Sequence, residues 1–312
     1  WWGSVFLINV PVIVVFLCLA PILLKEVHGS RPGRIDILSI VLSATGLLLA
    51  IYGVKHAATY GVDRLNVTLV MVGIIILVIF FVWQKRLEDP LLDVRLFEER
   101  VFAVAVLTGL LSLFVWSAAA YLSMTYLQFV LGYTVLHAAV LAIPGAIVLT
   151  LSSVFTPHFV EYAGARAALI LCHFSMAAGM LLLLLTSTAT GPIFYMTSTV
   201  VAGIGFGISF SLVADTAVGA VPESRAGAAG AIAETSNEIG NALGIALLGS
   251  LLTVVFRATY DGTETGIGEV VEASGVGSAA FDHAQSAFLN GFHAVGAVAA
   301  IICGSLGILA IR

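Results

Sequence analysis

Charged side chains are scarce in this chain: they make up 10% of its 312 residues, whereas a soluble domain carries about 25%. The few charges lie between long apolar stretches, and 60% of all residues are hydrophobic, with a mean hydropathy of +1.09. This distribution excludes an ordinary soluble domain and is typical of a protein that crosses the membrane several times.

Cysteine is also rare, and the three cysteines, Cys18, Cys172 and Cys303, all lie in apolar stretches. This placement excludes a disulfide framework and favours small core residues. The histidines are scattered, with no pair at metal-ligand spacing on one helical face. The basic residues form no stripe of the kind that nucleic-acid binding requires. We therefore expect no metal, no cofactor and no nucleic-acid partner.

Nine apolar segments are each long enough to cross a hydrocarbon core of roughly 30 Å at about 1.5 Å per residue. This pattern predicts an all-α membrane protein in which each apolar segment forms one transmembrane helix. The predicted spans are 3–24, 36–57, 66–84, 101–127, 135–157, 167–187, 192–215, 227–256 and 287–311.

The loops between these spans carry an asymmetric charge. One alternate set holds ten of the thirteen basic residues, and cytoplasmic loops are the ones enriched in Lys and Arg. We therefore expect residue 1 near the outer face of the cytoplasmic membrane and residue 312 in the cytoplasm. The basic set comprises Lys25, Arg31, Arg34, Lys85, Arg86, Arg95, Arg100, Arg166, Arg225 and Arg312; the opposite set comprises Lys55, Arg64 and Arg257.

Two of the loops are long. The cytoplasmic loop 85–100 mixes both charge signs and has the composition of a short surface helix. The outer loop 257–286 is rich in glycine and acidic residues, which predicts a solvated, mobile segment. An alternative role for its negative charge is to attract cationic solutes.

Charged residues also mark the cytoplasmic ends of the spans. Asp36 falls at the start of a helix, where a carboxylate suits the N-terminal dipole. Asp215, Glu223 and Arg225 lie close together in sequence. With Arg166 they predict an ion-pair network that gates or anchors the helices.

Two glutamates, Glu234 and Glu238, lie inside the otherwise apolar span 227–256. A charge at bilayer depth costs roughly 2.5–3.5 kcal/mol on insertion scales, so such residues usually face a cavity, a partner or a transport pathway. The i, i+4 spacing places both on one helical face, and Asn237 and Asn241 widen it. Low-dielectric surroundings favour a neutral carboxyl group, whereas an entering cation favours the carboxylate. This face is therefore suited to exchanging protons for cations; the alternative is that one glutamate bonds to a neighbouring helix.

Aromatic residues supply candidate substrate contacts. Trp116 and Tyr121 lie in the fourth span, and Phe206 and Phe210 lie in the seventh. Aromatic rings hold lipophilic cations by cation–π contact, which makes these four residues candidates for a substrate-lining surface. Aromatic residues also face lipid and the membrane interface, and this structural role is the alternative for all four.

Two glycine patterns occur in the spans: Gly203-x-Gly205-x-Gly207 in the seventh and Gly240-x-x-x-Gly244 in the eighth. Small residues at these spacings allow helices to approach closely. They also permit the sliding that alternating access requires. The two roles are compatible, and we expect packing and gating glycines at these five positions.

Five sequence blocks, in order along the chain, point to a known family. They are WWGSVFLINVPV at 1–12, Arg34-Ile35-Asp36, Tyr126-Leu127-Gln128 followed by Gly132 and Pro144, the seventh-span glycines, and the stretch from Glu234 to Gly244. Together they resemble the 14-helix drug:proton antiporters of the QacA and EmrB type, within the major facilitator superfamily.

The resemblance implies that the nine spans are helices six to fourteen of a longer chain. Residues 1–30 then form the last helix of an N-terminal bundle, 31–100 two inserted central helices and a linker, and 101–312 the C-terminal six-helix bundle. The missing N-terminal helices would supply half of the transport cavity and the family's usual first-helix aspartate. The span 135–157 lacks the acidic residue that some relatives carry there.

The resemblance further implies multidrug efflux, in which protons are exchanged for amphipathic, often cationic, organic compounds across a bacterial inner membrane. Export of a lipid or secondary metabolite is an alternative with the same fold. A non-transporting membrane scaffold is another. An enzyme is disfavoured, since the sequence offers no nucleophile–base arrangement and no phosphate loop.

Overall fold

A computed structural model describes residues 3–23, 36–87, 90, 92–222 and 225–311. The terminal residues Trp1 and Arg312, the basic residues Lys25, Arg31 and Arg34, and Glu223 all entered the predictions above and lie outside the described residues. The contacts divide the chain into two compact units, Trp1–Ile35 and Asp36–Arg312.

The first unit contains the helices α1 (Ser4–Leu7) and α2 (Asn9–Leu23). The second helix has 15 residues and includes Pro21. At 1.5 Å per residue it extends about 22 Å, which is shorter than a full membrane crossing. The predicted span 3–24 is therefore an apolar helix of less than membrane length over the residues that are described.

The second unit consists of helices joined by loops, with no β-strand among its described residues. The helices are α3 (Ile37–Tyr60), α4 (Arg64–Gln84), α5 (Arg100–Thr125), α6 (Val135–Ala163), α7 (Ala165–Leu182), α8 (Ile193–Gly219), α9 (Ala226–Leu243), α10 (Gly249–Thr259), α11 (Ile267–Ser274) and α12 (Ala279–Ile311). A 3₁₀ helix at Val94–Glu98 precedes α5, and another at Leu183–Leu185 follows α7. Wider π-helical turns extend α5 over Tyr126–Val130 and join α9 to α10 over Gly244–Leu248.

In the described part of the chain, eight helices are long and apolar enough to cross a membrane. They coincide with the second to ninth predicted spans, which confirms the all-α membrane fold. Several extend beyond the predicted bounds, and α12 begins at Ala279 rather than near residue 287.

Local signals explain where these helices begin and end. The Asp36 carboxylate accepts from the backbone N–H groups of Leu38 and Ser39 at the start of α3. Asp63 and Asn66 form a reciprocal capping box at the start of α4. Gly164, with φ of 85°, ends α6 in a conformation that favours glycine.

The core lies among α5, α6, α7, α8 and α12. Helix α8 packs between α6 and α7, α5 contacts α8 and α9, and α12 lies against α7 and α10. Large aromatic side chains fill this core, among them Tyr126, Phe206, Phe256, Phe288 and Phe292. Helices α3 and α4 form a hairpin that contacts α10.

The long loop 257–286 is more ordered than the sequence indicates. Residues 267–274 form α11, and its residues Ile267 and Val270 are buried. Their spacing of three, with Val271 beside them, gives the short helix an apolar face that packs on the bundle. The prediction of a wholly solvated loop over 257–286 is therefore wrong for this segment.

Candidate functional site

The two glutamates predicted to lie in the membrane, Glu234 and Glu238, lie on an open face of α9. The opposite face, formed by Ala229, Ile232 and Ser236 among others, is buried within the bundle. Glu234 and Glu238 are exposed, and neither forms an ion pair in the described part of the chain. Both carboxylates are therefore accessible from the same side of the helix, as their spacing predicts.

The two asparagines predicted to widen this face lie instead at the seam between α9 and α5. Both are half-buried. A Cβ on Gly109 of α5 would come 2.7 Å from the side-chain oxygen of Asn237. The backbone carbonyl of Asn241 accepts from the Ser117 hydroxyl at 3.0 Å. The polar residues of α9 thus divide into two exposed glutamates and two asparagines that lie against α5.

Glycines permit the close approach of α9 to α5. A Cβ on Gly240 would come closer than 3.0 Å to the Leu110 carbonyl oxygen, and one on Gly244 equally close to that of Phe114. Real Cβ atoms essentially never show such distances to backbone, so both positions require glycine for this packing. The π-helical turn begins at Gly244, and turns of this kind recur at functional sites.

The three glycines of α8 alternate in contacting the neighbouring helices α6 and α7. A Cβ on Gly203 would lie 2.9 Å from the Gly145 carbonyl oxygen of α6, and one on Gly207 would crowd Leu149 of the same helix. A Cβ on Gly205 would instead crowd the Cys172 carbonyl of α7. This alternation holds α8 in close contact with helices on opposite sides.

An apolar cavity of about 170 Å³ lies between α5, α6 and α8, with Met180 and Leu183 closing one side. Trp116 and Phe206, both among the predicted substrate-lining residues, meet there edge to face with ring centroids 4.8 Å apart. Four hydroxyl-bearing residues line the cavity, Ser123, Tyr195, Ser198 and Thr199, and no charged residue does. This surface is suited to flat apolar or aromatic groups.

The other two predicted aromatics lie elsewhere. Tyr121 is 59% exposed and Phe210 is 38% exposed, and neither lines this cavity. Tyr195 does line it and was not expected from the sequence. Its position three turns before Phe206 on α8 is the signal that would have indicated it, because residues 11 apart return to the same helical face.

The family of the chain follows from sequence comparison. The sequence profile described as Major Facilitator Superfamily matches residues 1–245. The chain belongs to the major facilitator superfamily.

Several curated members of this superfamily are similar to the chain. The multidrug efflux pump LfrA of Mycolicibacterium smegmatis is 32% identical over 83% of this chain and 52% of its own length. The multidrug resistance protein Stp of Mycobacterium tuberculosis is 25% identical over 83% of this chain and 48% of its own length. The methyl viologen resistance protein SmvA of Salmonella typhimurium is 28% identical over 83% of this chain and 52% of its own length. The chain spans about half the length of these relatives.

In this superfamily member, α5 separates the acidic face from the aromatic cavity. Leu110, Phe114 and Ser117 of α5 meet α9. Trp116 and Ser123 of α5 line the cavity. A movement of α5 would therefore change both surfaces.

The predicted ion-pair network takes a different form. The Arg225 guanidinium lies 3.6 Å from the carboxylate of Asp93, in the linker before α5. Arg166 donates to the Ala310 carbonyl at 3.2 Å, near the end of α12. Both basic residues thus tie a neighbouring segment to the bundle, rather than pairing with Asp215. The described residues contain no group of three or more His, Cys, Asp or Glu arranged to hold a metal ion.

Proposed function

We propose that the protein exports amphipathic, often cationic, organic compounds across the cytoplasmic membrane in exchange for protons. The observation that carries this proposal is the pair of carboxylates, Glu234 and Glu238, accessible together on one face of a membrane-spanning helix. Ionisable groups at this depth are costly unless they serve a pathway or a partner.

The exchange follows from the chemistry of the pair. A proton bound to either carboxyl group is released when an organic cation approaches, because the cation stabilises the carboxylate. Return of a proton down its gradient then resets the face, with roughly 2.3 kcal/mol available per charge per 100 mV. The absence of an ion-pair partner for either carboxylate among the described residues leaves both free for this role.

The aromatic cavity supplies the second half of recognition. The Trp116 and Phe206 rings pack edge to face against each other and line the cavity. Their aromatic surface suits flat organic groups, which it binds by stacking and apolar burial. The names of similar superfamily members include multidrug efflux and methyl viologen resistance. Methyl viologen is an organic dication, so these names support a cationic, aromatic substrate class.

We further propose an arrangement for the whole protein. Helices α5 to α12 form the C-terminal six-helix bundle, and α3 and α4 are an inserted hairpin beside it. Preceding helices of the same chain complete the cavity over the acidic face of α9. Because Arg257 contacts Ala58, one end of the spans carries Arg257, Lys55 and Arg64; we assign this end to the outer face and the C-terminus to the cytoplasm.

Efflux of ethidium from energised cells that express the full-length protein tests this function. We expect wild-type efflux that a proton uncoupler stops, and a loss of efflux in Glu234→Gln. Glu161→Gln, an identical change at an exposed position near the end of α6, serves as the control and retains efflux. Uncoupler-insensitive efflux would reject proton coupling.

Equal efflux in wild type and in both α9 variants, Glu234→Gln and Glu238→Gln, would remove the acidic face from the mechanism. If the well-expressed wild type fails to export ethidium, the result favours the alternative function, export of a lipid or secondary metabolite.

A further inference from the structure

The inserted hairpin and α10 enclose a second, larger apolar groove that the proposed drug export does not use. Its volume is about 480 Å³, within the roughly 300–1,000 Å³ of ligand pockets. Its walls come from α3, α4 and the π-helical turn with α10, and all but two lining residues are apolar. We propose that this groove binds one acyl chain of an anionic phospholipid, whose phosphate is held by Arg257.

The shape of the groove suits a hydrocarbon chain. Along α4 its lining extends from Asn66 to Met71, about 8 Å at 1.5 Å per residue, and Val62 of the preceding loop also lines it. Its two polar residues are both largely buried and present little surface to a polar ligand. Asn66 is 1% exposed and bonds to the Gly61 carbonyl and the Asp63 N–H, and Ser250 is 9% exposed.

The loop end of the groove carries a cation. Arg257 donates one N–H to the Ala58 carbonyl at 3.3 Å, and Ala58 is itself a lining residue. A guanidinium has five N–H donors in a fork that matches a phosphate. In the described part of the chain Arg257 has no carboxylate within 4 Å, so most of these donors remain available.

Two acidic residues, one beside the lining residue Val62 and one four residues after Arg257, have other contacts. Asp63 caps α4 by accepting from the Asn66 N–H at 2.8 Å. Asp261 lies 4.0 Å from His283. Arg257 is therefore the cation that is positioned for a headgroup, while an apolar groove leads from it into the span.

Photolabelling of the full-length protein in nanodiscs tests the proposal. The probe is phosphatidylglycerol with a photoreactive diazirine on one acyl chain, diluted in phosphatidylcholine. We expect labelled peptides from α3, α4 and α10, and competition by unlabelled phosphatidylglycerol but not by phosphatidylcholine. Labelling of these helices no stronger than that of other lipid-facing surfaces would overturn the proposal.

Matched variants separate lipid binding from helix capping. Arg257→Gln is expected to lower groove labelling by about fivefold, the factor expected for losing one cation near an anionic headgroup. Arg166→Gln makes the same change at an arginine that also donates to a helix carbonyl, and it should leave groove labelling unchanged. If Arg257→Gln only lowers thermal stability, equally with and without phosphatidylglycerol, the arginine caps α3 and binds no lipid.

A steric variant provides a second, independent measurement. Ala57 lines the groove and is half-buried, so Ala57→Phe places a ring in the space assigned to the acyl chain. Among preparations with unchanged expression and thermal stability, this variant should show weaker labelling of α3, α4 and α10. Undiminished labelling would place the lipid elsewhere. Neither measurement depends on drug export.

Discussion

Arg225, which directly precedes α9, lies 3.6 Å from Asp93 in the linker before α5. The pair joins the linker to the helix that carries both glutamates. Because the Arg225 and Asp93 side chains are 50% and 23% exposed, water and salt screen the attraction. We expect a double-mutant cycle with Asp93→Asn and Arg225→Gln to give a coupling of about 0.2–1 kcal/mol in the free energy of unfolding.

Exchanging the two charges tests whether the pair between Asp93 and Arg225 contributes to transport. Asp93→Arg should slow transport by placing two cations together, and adding Arg225→Asp should restore it. Transport by the double variant that stays as slow as in Asp93→Arg would mean that the linker and α9 do not act through this pair. Asp215→Arg is the control, because Asp215 is exposed and outside the pair.

The glycine seam between α9 and α5 makes a sharp stability prediction. Gly240→Ala forces a methyl group against the Leu110 carbonyl, and overpacking of this kind costs about 1–3 kcal/mol. Gly227→Ala on the same helix meets nothing within 4 Å. It should be neutral or stabilising by about 0.5–1 kcal/mol, because alanine is the better helix former. Melting temperatures in one detergent compare the two, and equal values would contradict the seam.

The aromatic cavity predicts that alanine substitutions at Trp116 and at Tyr121, both on α5, affect substrate binding differently. Trp116→Ala removes the ring that meets Phe206 and should raise the half-saturation concentration for an aromatic substrate by about tenfold. Trp116→Phe should recover much of this loss. Tyr121→Ala, at a position 59% exposed and outside the cavity, should stay close to wild type. The reverse ranking would show that substrates contact the exposed face of α5 instead.

A buried polar cluster at the start of the α3–α4 hairpin makes a further prediction. The Ser39 hydroxyl donates to Asp36 at 2.5 Å and accepts from the Gln84 side chain, whose oxygen accepts from the Leu92 N–H at 2.9 Å. Ser39→Ala leaves buried polar groups unpaired and should cost about 1–3 kcal/mol. Ser43→Ala is the control, because the Ser43 hydroxyl bonds only to the Ile40 carbonyl of its own helix.

The same cluster predicts a pH dependence. Hydrogen bonds from the Ser39 hydroxyl first, and then from the Trp83 indole, hold the pKa of Asp36 below its usual value. A depressed carboxyl pKa stabilises the folded state above the unfolded-state pKa, and this contribution is lost as the pH falls through the folded-state pKa. Melting temperatures of wild type should therefore fall more steeply under acid than those of Asp36→Asn. Parallel curves would show that Asp36 does not contribute.

The membrane architecture was largely predictable from particular residues. Long apolar segments can bury their backbone polar groups in lipid only as helices, so the second to ninth spans follow from composition. That Glu234 and Glu238 lie on the same side of α9 follows from the 3.6-residue helical period. The close-packing glycines were predictable as a class, since small residues recur where helices meet in membranes.

The partners of these residues were not predictable. Nothing local in sequence distinguishes Trp116 from Tyr121, yet one lines a cavity and the other is exposed. The order within the loop 257–286 was missed because α11 has only eight residues, too few to form without packing against the bundle.

The sequence alone therefore determined that this protein crosses the membrane repeatedly and that two carboxylates share one face of a span, because both depend on hydropathy and helical period. Only the tertiary structure decided that Asn237 and Asn241 lie in the α5–α9 seam, that Arg225 contacts Asp93 and that Arg257 meets Ala58 at a lipid-sized groove. These are contacts between segments far apart in the chain, and they depend on how helix surfaces fit together in three dimensions.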